Sequence, residues 1–311
     1  MSTDTGRTVR LELTILGTAS QSPTRDRAQG GYLLQWADER ILFDPGEGCQ
    51  RQLLFAGTSA AQVDRVCITH FHGDHCLGLP GFLQSRALAT ERRVTIHYPR
   101  SGQAYVDHML AGSAIDFDLR ADLMALEPGE RLVTPNFDIV AAALQHPVPT
   151  IGFRLEGRPA RHLIADRLDE EGISGALVAD LIDEGVVESP DGDLVELAEV
   201  SEVLVGPTMA FVMDTSICEG ARELAREVDL LVCESTFLET DADLAEDRGH
   251  LTALQAAHLA AESDAGLLVL SHFSNRYPDL AAFESEARSI HSNCVAAADL
   301  SCIAIAAAPR P

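Results

Sequence analysis

The chain has 311 residues, of which 48 are acidic and 23 basic, giving a formal net charge of −25 at neutral pH. Every basic residue is arginine, and no apolar run reaches the roughly 18 residues that a membrane span needs. These features argue against a membrane protein and against broad non-specific binding to nucleic acid, which relies on positive charge.

The opening, MSTDTGRTVRLELTILG, has neither the apolar core nor the cleavage pattern of a secretory signal, so a cytoplasmic protein is expected. Seven cysteines without CxxC spacing argue against a disulfide framework and against a cysteine zinc site. Cys67, Cys233 and Cys302 lie in apolar runs and are expected to pack as small buried hydrophobes. Strands are predicted at 11–17, 31–36, 40–44, 66–69, 94–97, 138–142 and 152–155. Those of the second half are predicted at 209–213, 230–233, 267–270 and 301–306. Helical spacing marks 50–56, 79–89, 221–227 and 252–262. In each half, strands come first as hairpins and then alternate with helices. That order predicts an α/β chain with two sheets packed face to face and helices outside. The stretch 167–202 is acidic and punctuated by glycine, and reads as an insertion outside the core. We therefore expect one domain, 1–311, with an arm insertion at 158–205.

The stretch VCITHFHGDHCLGLPG puts His70, His72, Asp74 and His75 directly after an apolar β-branched run. On an extended chain His70 and His72 share one parity and face one point. The chain then turns at Gly73 and swings Asp74 and His75 toward a second point, with a helix expected from Leu77. Imidazoles and a carboxylate fixed by a strand end are what two adjacent metal ions require. A chance cluster on a polar loop is the plainer alternative. His146, Asp214 and His272 each follow an apolar run, where site residues gather on loops held by strands. Singly, each has an ordinary reading as a turn residue, helix cap or core histidine. Together they complete two sets: His70, His72 and His146 for one ion, Asp74, His75 and His272 for the other, with Asp214 bridging. The remaining histidines, His97, His108, His162, His258 and His291, read as surface or structural.

THFHGDH is the HxHxDH signature of the metallo-β-lactamase superfamily. Within it the chain resembles the ribonuclease Z family nearly end to end, through LTILGTASQSPT, LFDPGEGCQRQL, HPVPTIGFRL, FVMDT, ESTF, GHLTALQAA and SHFSNRY. The resemblance implies a four-layer αβ/βα sandwich and two Zn2+ per subunit, with Mn2+ as a substitute. It also implies a homodimer and precursor tRNA, not DNA, as substrate. The implied reaction is metal-assisted hydrolysis that removes a 3′ trailer, leaving a 3′-hydroxyl on the tRNA and a 5′-phosphate on the trailer. By the same resemblance Asp74 is ligand and proton acceptor. His250 is the proton donor to the leaving oxygen, and Glu234 holds it in its useful tautomer. Asp44, in LFDPGEG, is a candidate to hydrogen-bond a ligand histidine, or simply a turn residue. Ser20, Gln21 and Arg276 lie in family-like loops as candidate substrate contacts.

The chain departs from the family in the arm. EEGISGALVADLIDEGVVESPDG keeps the glycine pattern, but Glu170, Glu171, Asp180, Asp183 and Glu184 stand where lysines and a proline-rich tip are expected. Arg154, Arg158 and Arg161 at its base offer a small basic patch. Ile151 and Met213 replace residues that are usually tyrosine and glycine. Three functions compete on these grounds: a tRNA 3′-processing endonuclease, a hydrolase of small phosphodiesters without a tRNA grip, and a non-catalytic metal-stabilised binding protein. Glu234 and His250 argue against the last, because a scaffold has no use for a proton donor.

Overall fold

The computed structural model describes residues 11–305. In chain order the strands are β1 (Leu11–Gly17), β2 (Gly31–Trp36), β3 (Glu39–Phe43), β4 (Arg65–Cys67), β5 (Val94–Pro99), β6 (Ala121–Leu126), β7 (Arg131–Val133), β8 (Phe137–Leu144) and β9 (Thr150–Gly157). They continue as β10 (Ala160–Leu163), β11 (Val186–Glu188), β12 (Leu194–Glu196), β13 (Ser201–Leu204), β14 (Thr208–Val212), β15 (Leu230–Glu234), β16 (Leu267–Ser271), β17 (Cys294–Ala296) and β18 (Cys302–Ile305). By backbone contacts the chain divides into two units, residues 11–156 with 208–305, and residues 157–207.

The larger unit holds two seven-stranded sheets, ordered β18-β1-β2-β3-β4-β5-β6 and β17-β16-β15-β14-β9-β8-β7. The two-residue period of a strand explains how both faces of β2 and β3 are buried. Tyr32 and Phe43 point toward the second sheet, where Phe43 lies 4.6 Å from Phe211 and 6.1 Å from Phe153, and Tyr32 5.1 Å from Phe211, between ring centroids. Leu33 and Leu42, one residue out of phase, pack instead with Leu53, Phe82, Leu83 and Val106. These last come from the helices Cys49–Phe55, Leu79–Ala89 and Gln103–Leu110. The helices Glu219–Ala225, Ala253–Glu262 and Ala281–Arg288 contact strands of the second sheet. The expected four-layer αβ/βα sandwich is the architecture observed.

Strands β3 to β6 run parallel, as do β14 to β17. Parallel neighbours end on the same edge, so the residues just after β3, β4, β14, β15 and β16 gather there. Close approach of backbone holds that edge together. A Cβ on Gly46 would lie 2.4 Å from the Asp74 carbonyl and 2.6 Å from that of Gly30, so the Asp44-Pro45-Gly46 loop admits no side chain there.

Two local expectations are corrected. The turn after His72 is itself a helical turn, Gly73–Cys76, and the next helix starts at Leu79. Cys67 and Cys233 are buried, but Cys302 is exposed, because β18 is an edge strand whose outer positions face solvent. Residue 306, at the end of the last predicted strand, lies outside the described residues.

In the smaller unit β10 pairs with β13 and β11 with β12, both antiparallel. The acidic stretch has a small apolar core of its own, formed by Leu168, Ile173, Leu181, Val187, Val195 and Val200. Among the described residues no helix is long and apolar enough to cross a membrane.

Candidate metal centre

The strand ends aim seven side chains at one place. His70 follows β4, and its Nε2 lies 3.1 Å from Nδ1 of His72 and 3.5 Å from Oδ2 of Asp214. Nε2 of His146, beyond β8, is 3.2 Å from the same His72 Nδ1 and 3.7 Å from Asp214 Oδ2. A second set meets on the other oxygen of Asp214. Nε2 of His75 and Nε2 of His272 are 3.2 Å apart, and each is 3.4 Å from Oδ2 of Asp74. They lie 3.4 and 3.3 Å from Oδ1 of Asp214. The structure thus brings together all seven residues expected as ligands, in two groups with one oxygen of Asp214 facing each, and a further grouping sets His250 with Asp214 and His272.

The far nitrogen of four of these rings is anchored. His75 Nδ1 lies 2.8 Å from Asp44 Oδ2, and His146 Nδ1 2.9 Å from the Gly249 carbonyl. His70 Nδ1 is 3.0 Å from the Thr69 hydroxyl, and His272 Nδ1 3.0 Å from the Thr236 hydroxyl. The carboxylate and the carbonyl can only accept, so His75 and His146 each carry a proton on Nδ1 and turn Nε2 inward. Imidazole nitrogens and carboxylate oxygens converge, with Asp214 Oδ1 buried and without a hydrogen-bond partner among the described residues, and the carboxylates draw positive charge onto His75. A buried set of carboxylates and imidazoles calls for positive charge, and it suits a divalent ion that takes N and O ligands.

Electrostatics within the set follow from burial and proximity. Burial, and then the neighbouring His75, hold His70 well below the usual histidine range. Burial works against charge on His75 too, but Asp214, Asp74 and Asp44 outweigh it and raise the imidazole well above its usual value. Burial would raise Asp74 and Asp214, yet the histidines around them keep both carboxyls well below theirs. Asp74 is also fixed by the Gln21 backbone N–H, which donates to Oδ2 at 2.6 Å. Asp44, Asp214 and His272 all take left-handed backbone angles, with φ of 43°, 45° and 63°. Non-glycine residues adopt that region at a cost, and here it lets a strand end bend its side chain back over the edge.

His250 stands beside the seven. Its Nδ1 donates to Glu234 Oε1 at 2.9 Å, and its ring lies 5.1 Å from that of His146 and 5.6 Å from that of His272. Burial lowers its pKa, but Glu234 and then Asp214 raise it to about 9. Glu234, fully buried at the end of β15, also accepts from the Thr215 backbone N–H at 2.7 Å. Asp44 does hydrogen-bond a histidine of the set, His75. Arg276 pairs with Asp241 at 3.1 Å and sits over Phe237, whose ring is 6.1 Å from His250. Ser20 is buried, and Gln21 contributes its backbone rather than its side chain to Asp74. The Thr69 and Thr236 hydroxyls and the Gly249 carbonyl escape a reading of the sequence, because Thr and Gly are too common beside strand ends to stand out.

Comparison with known proteins bears on this edge. A ribonuclease Z of Nocardia farcinica is 48% identical over 293 residues, covering 93% of this chain and 95% of that protein. One of Streptomyces coelicolor is 47% identical over 282 residues, covering 89% and 91%. The chain belongs to the ribonuclease Z family. It is therefore a metal-dependent hydrolase of the metallo-β-lactamase superfamily. The family model described as "Anti-Pycsar protein Apyc1" also matches, over residues 11–178, just over half of the chain, and places it in that family too. Among solved structures, the short form of human tRNase Z superposes with a TM-score of 0.66 at 24% identity, covering 95% of this chain and 99% of that one. The metallo-β-lactamase fold protein YhfI of Bacillus subtilis gives 0.69 at 18% identity, covering 95% and 99%. These two likenesses concern the fold. Ribonuclease Z membership carries divalent-metal dependence with it.

Proposed function

We propose that the chain is an endoribonuclease that removes the 3′ trailer from precursor tRNA, with two zinc ions held in the groups described and manganese as a substitute. His70, His72 and His146 would hold one ion and Asp74, His75 and His272 the other, with Asp214 between them. The observation that carries this reading is the convergence of seven acceptor side chains, beside a carboxylate-held histidine, on the strand-end edge of a ribonuclease Z family member.

When bound, the metal pair supplies Lewis acidity and a water acidified toward neutral pH. Asp74 orients the attacking water and takes its proton. As the new P–O bond forms, the bond from phosphorus to the 3′-oxygen breaks. His250, kept protonated at neutral pH by Glu234, gives its Nε2 proton to that leaving oxygen. The products are a tRNA 3′-hydroxyl and a trailer 5′-phosphate.

The unit at 157–207 is the arm of this reading, and we assign it to contacts with the tRNA body through backbone and shape. A homodimer is also part of the proposal. Leu54, Phe55 and Leu88 are exposed large hydrophobics on two neighbouring helices, and an apolar surface of that kind suits a partner copy. Cysteines scattered without the spacing of a disulfide framework fit a reducing cytoplasm.

One observation favours a second reading, hydrolysis of small phosphodiesters: residues 157–207 carry thirteen acidic residues against three arginines. The test for both is zinc-loaded protein with a precursor tRNA bearing a 3′ trailer, the product end being mapped and Asp74→Ala serving as control. A single cut near the discriminator base, absent in the variant, is expected. Turnover by Asp74→Ala refutes the mechanism. An uncut tRNA alongside hydrolysis of a small phosphodiester establishes the second reading.

A further inference from the structure

The hydroxyl of Thr236 is buried among three groups of the site. It lies 2.7 Å from Glu234 Oε2, 3.0 Å from His272 Nδ1 and 3.3 Å from His250 Nδ1. A hydroxyl has one proton to give. Glu234, ionised and acceptor-only, takes it, and also takes the Thr236 backbone N–H at 3.2 Å. Toward His272 the hydroxyl is left to accept, so the ring proton sits on Nδ1. His250 Nδ1 already spends its proton on Glu234 Oε1 at the shorter distance of 2.9 Å.

We propose that Thr236 is a positioning residue: its hydroxyl relays the His272 Nδ1 proton to Glu234, fixing a bare Nε2 toward Asp74 and Asp214, and so makes one carboxylate hold both a metal ligand and the proton donor. This rests on reading His272 as a ligand.

The first sheet repeats the device. The Thr69 hydroxyl donates to Asp44 Oδ2 at 2.8 Å and faces His70 Nδ1 at 3.0 Å, while the same Oδ2 accepts directly from His75 at 2.8 Å. The backbone matches too. Thr69 N–H donates to Asp44 at 2.7 Å, as Thr215 N–H does to Glu234 at 2.7 Å. In each sheet a buried carboxylate at a strand end holds one ring directly and a second through a threonine hydroxyl. The arrangement answers a geometric need. A carboxylate on the strand beside a ligand's own strand reaches one ring, and the interposed hydroxyl extends that reach to another without adding a second buried charge.

The test is zinc binding measured by competition with a chromophoric chelator, on wild type, Thr236→Val, Thr236→Ser and His272→Ala. Thr236→Val should weaken the second zinc roughly 10–100-fold, and Thr236→Ser should bind within about threefold of wild type. Wild-type affinity in Thr236→Val, while His272→Ala loses an ion, overturns the relay and leaves the metal centre standing. Failure of Thr236→Ser to restore binding overturns it as well, since bulk and not the hydroxyl would then matter. Undiminished binding by His272→Ala removes the ligand reading and the relay with it. A measurement on metal-free wild type needs no folded variant: 15N shifts of the His272 ring should report the proton on Nδ1. A proton on Nε2 refutes the proposal.

Discussion

His97 offers a prediction that is independent of the metal centre. It lies on β5 with no exposed surface, its Nδ1 is buried without a hydrogen-bond partner among the described residues, and Nε2 is 3.5 Å from the Arg65 guanidinium. Burial, and then the positive charge of Arg65, lower its pKa to about 3. The unfolded chain takes up a proton here near pH 6.5 while the folded chain stays neutral, so the folded state loses stability as pH falls from 6.5 toward 3. With these two values the loss from this group is about 2 kcal/mol at pH 5 and about 3 kcal/mol at pH 4. His97→Gln keeps a neutral acceptor for Arg65 and cannot titrate. Urea denaturation of both proteins at pH 7.5, 6 and 5 is the assay. The variant starts less stable by about 1–2 kcal/mol at pH 7.5 from imperfect packing, and the gap should close by about 2 kcal/mol at pH 5. Stability curves that stay parallel across this range refute the reasoning, since His97 would then be protonated equally in both states. The metal-site histidines titrate in both proteins and cancel in the difference.

His250→Ala should lower kcat by roughly 10²–10⁴ while zinc content stays at the wild-type level; loss of zinc, measured on the same samples, would make His250 a ligand, as its place in a group with Asp214 and His272 permits. Asp44→Asn puts an amide donor where His75 Nδ1–H and the Thr69 hydroxyl now donate, so zinc affinity should fall roughly 10–100-fold, and unchanged affinity by chelator competition counts against Asp44 as an anchor. Phe211→Ala empties the space between Tyr32 and Phe43 at the sheet interface and should cost about 3–5 kcal/mol in denaturant unfolding; a cost under about 1 kcal/mol would mean that the two sheets are not joined there.

Much of the site could be read from the sequence because its first four members fall within the six residues 70–75 and the other three follow apolar runs. A strand end is visible as an apolar run that stops, and that alone drew His146, Asp214 and His272 into the set. Which atoms face inward was not readable. His72 turns Nδ1 to the centre while His70 and His146 turn Nε2, a difference that residue type and spacing do not specify. Predicted strand limits fell within a few residues of the observed ones where both faces are buried. Short strands such as β7 and β17, and those of the acidic unit, carry too little periodicity to register. Left-handed φ at Asp44, Asp214 and His272 is only weakly marked in residue type, since aspartate and histidine are enriched in that region but are far more often found outside it.

Charge bears on how an acidic chain would handle a polyanion. Several of its arginines are already committed: Arg93 to Asp118 and Asp122, Arg131 to Asp138 and Glu156, Arg276 to Asp241. Arg154, expected in a basic patch, turns to Glu156 and to the carbonyls of Leu224 and Arg226. Guanidinium groups bound in this way have less to offer a phosphate, and the surplus of carboxylates repels one. What remains attractive is the strand-end edge, where Asp74 and Asp214 lie among histidines and call for cations. With cations held there as proposed, a phosphodiester would be drawn to the same few ångströms where it is cut, and recognition of the rest of an RNA would fall to backbone donors and shape, which cost no positive charge.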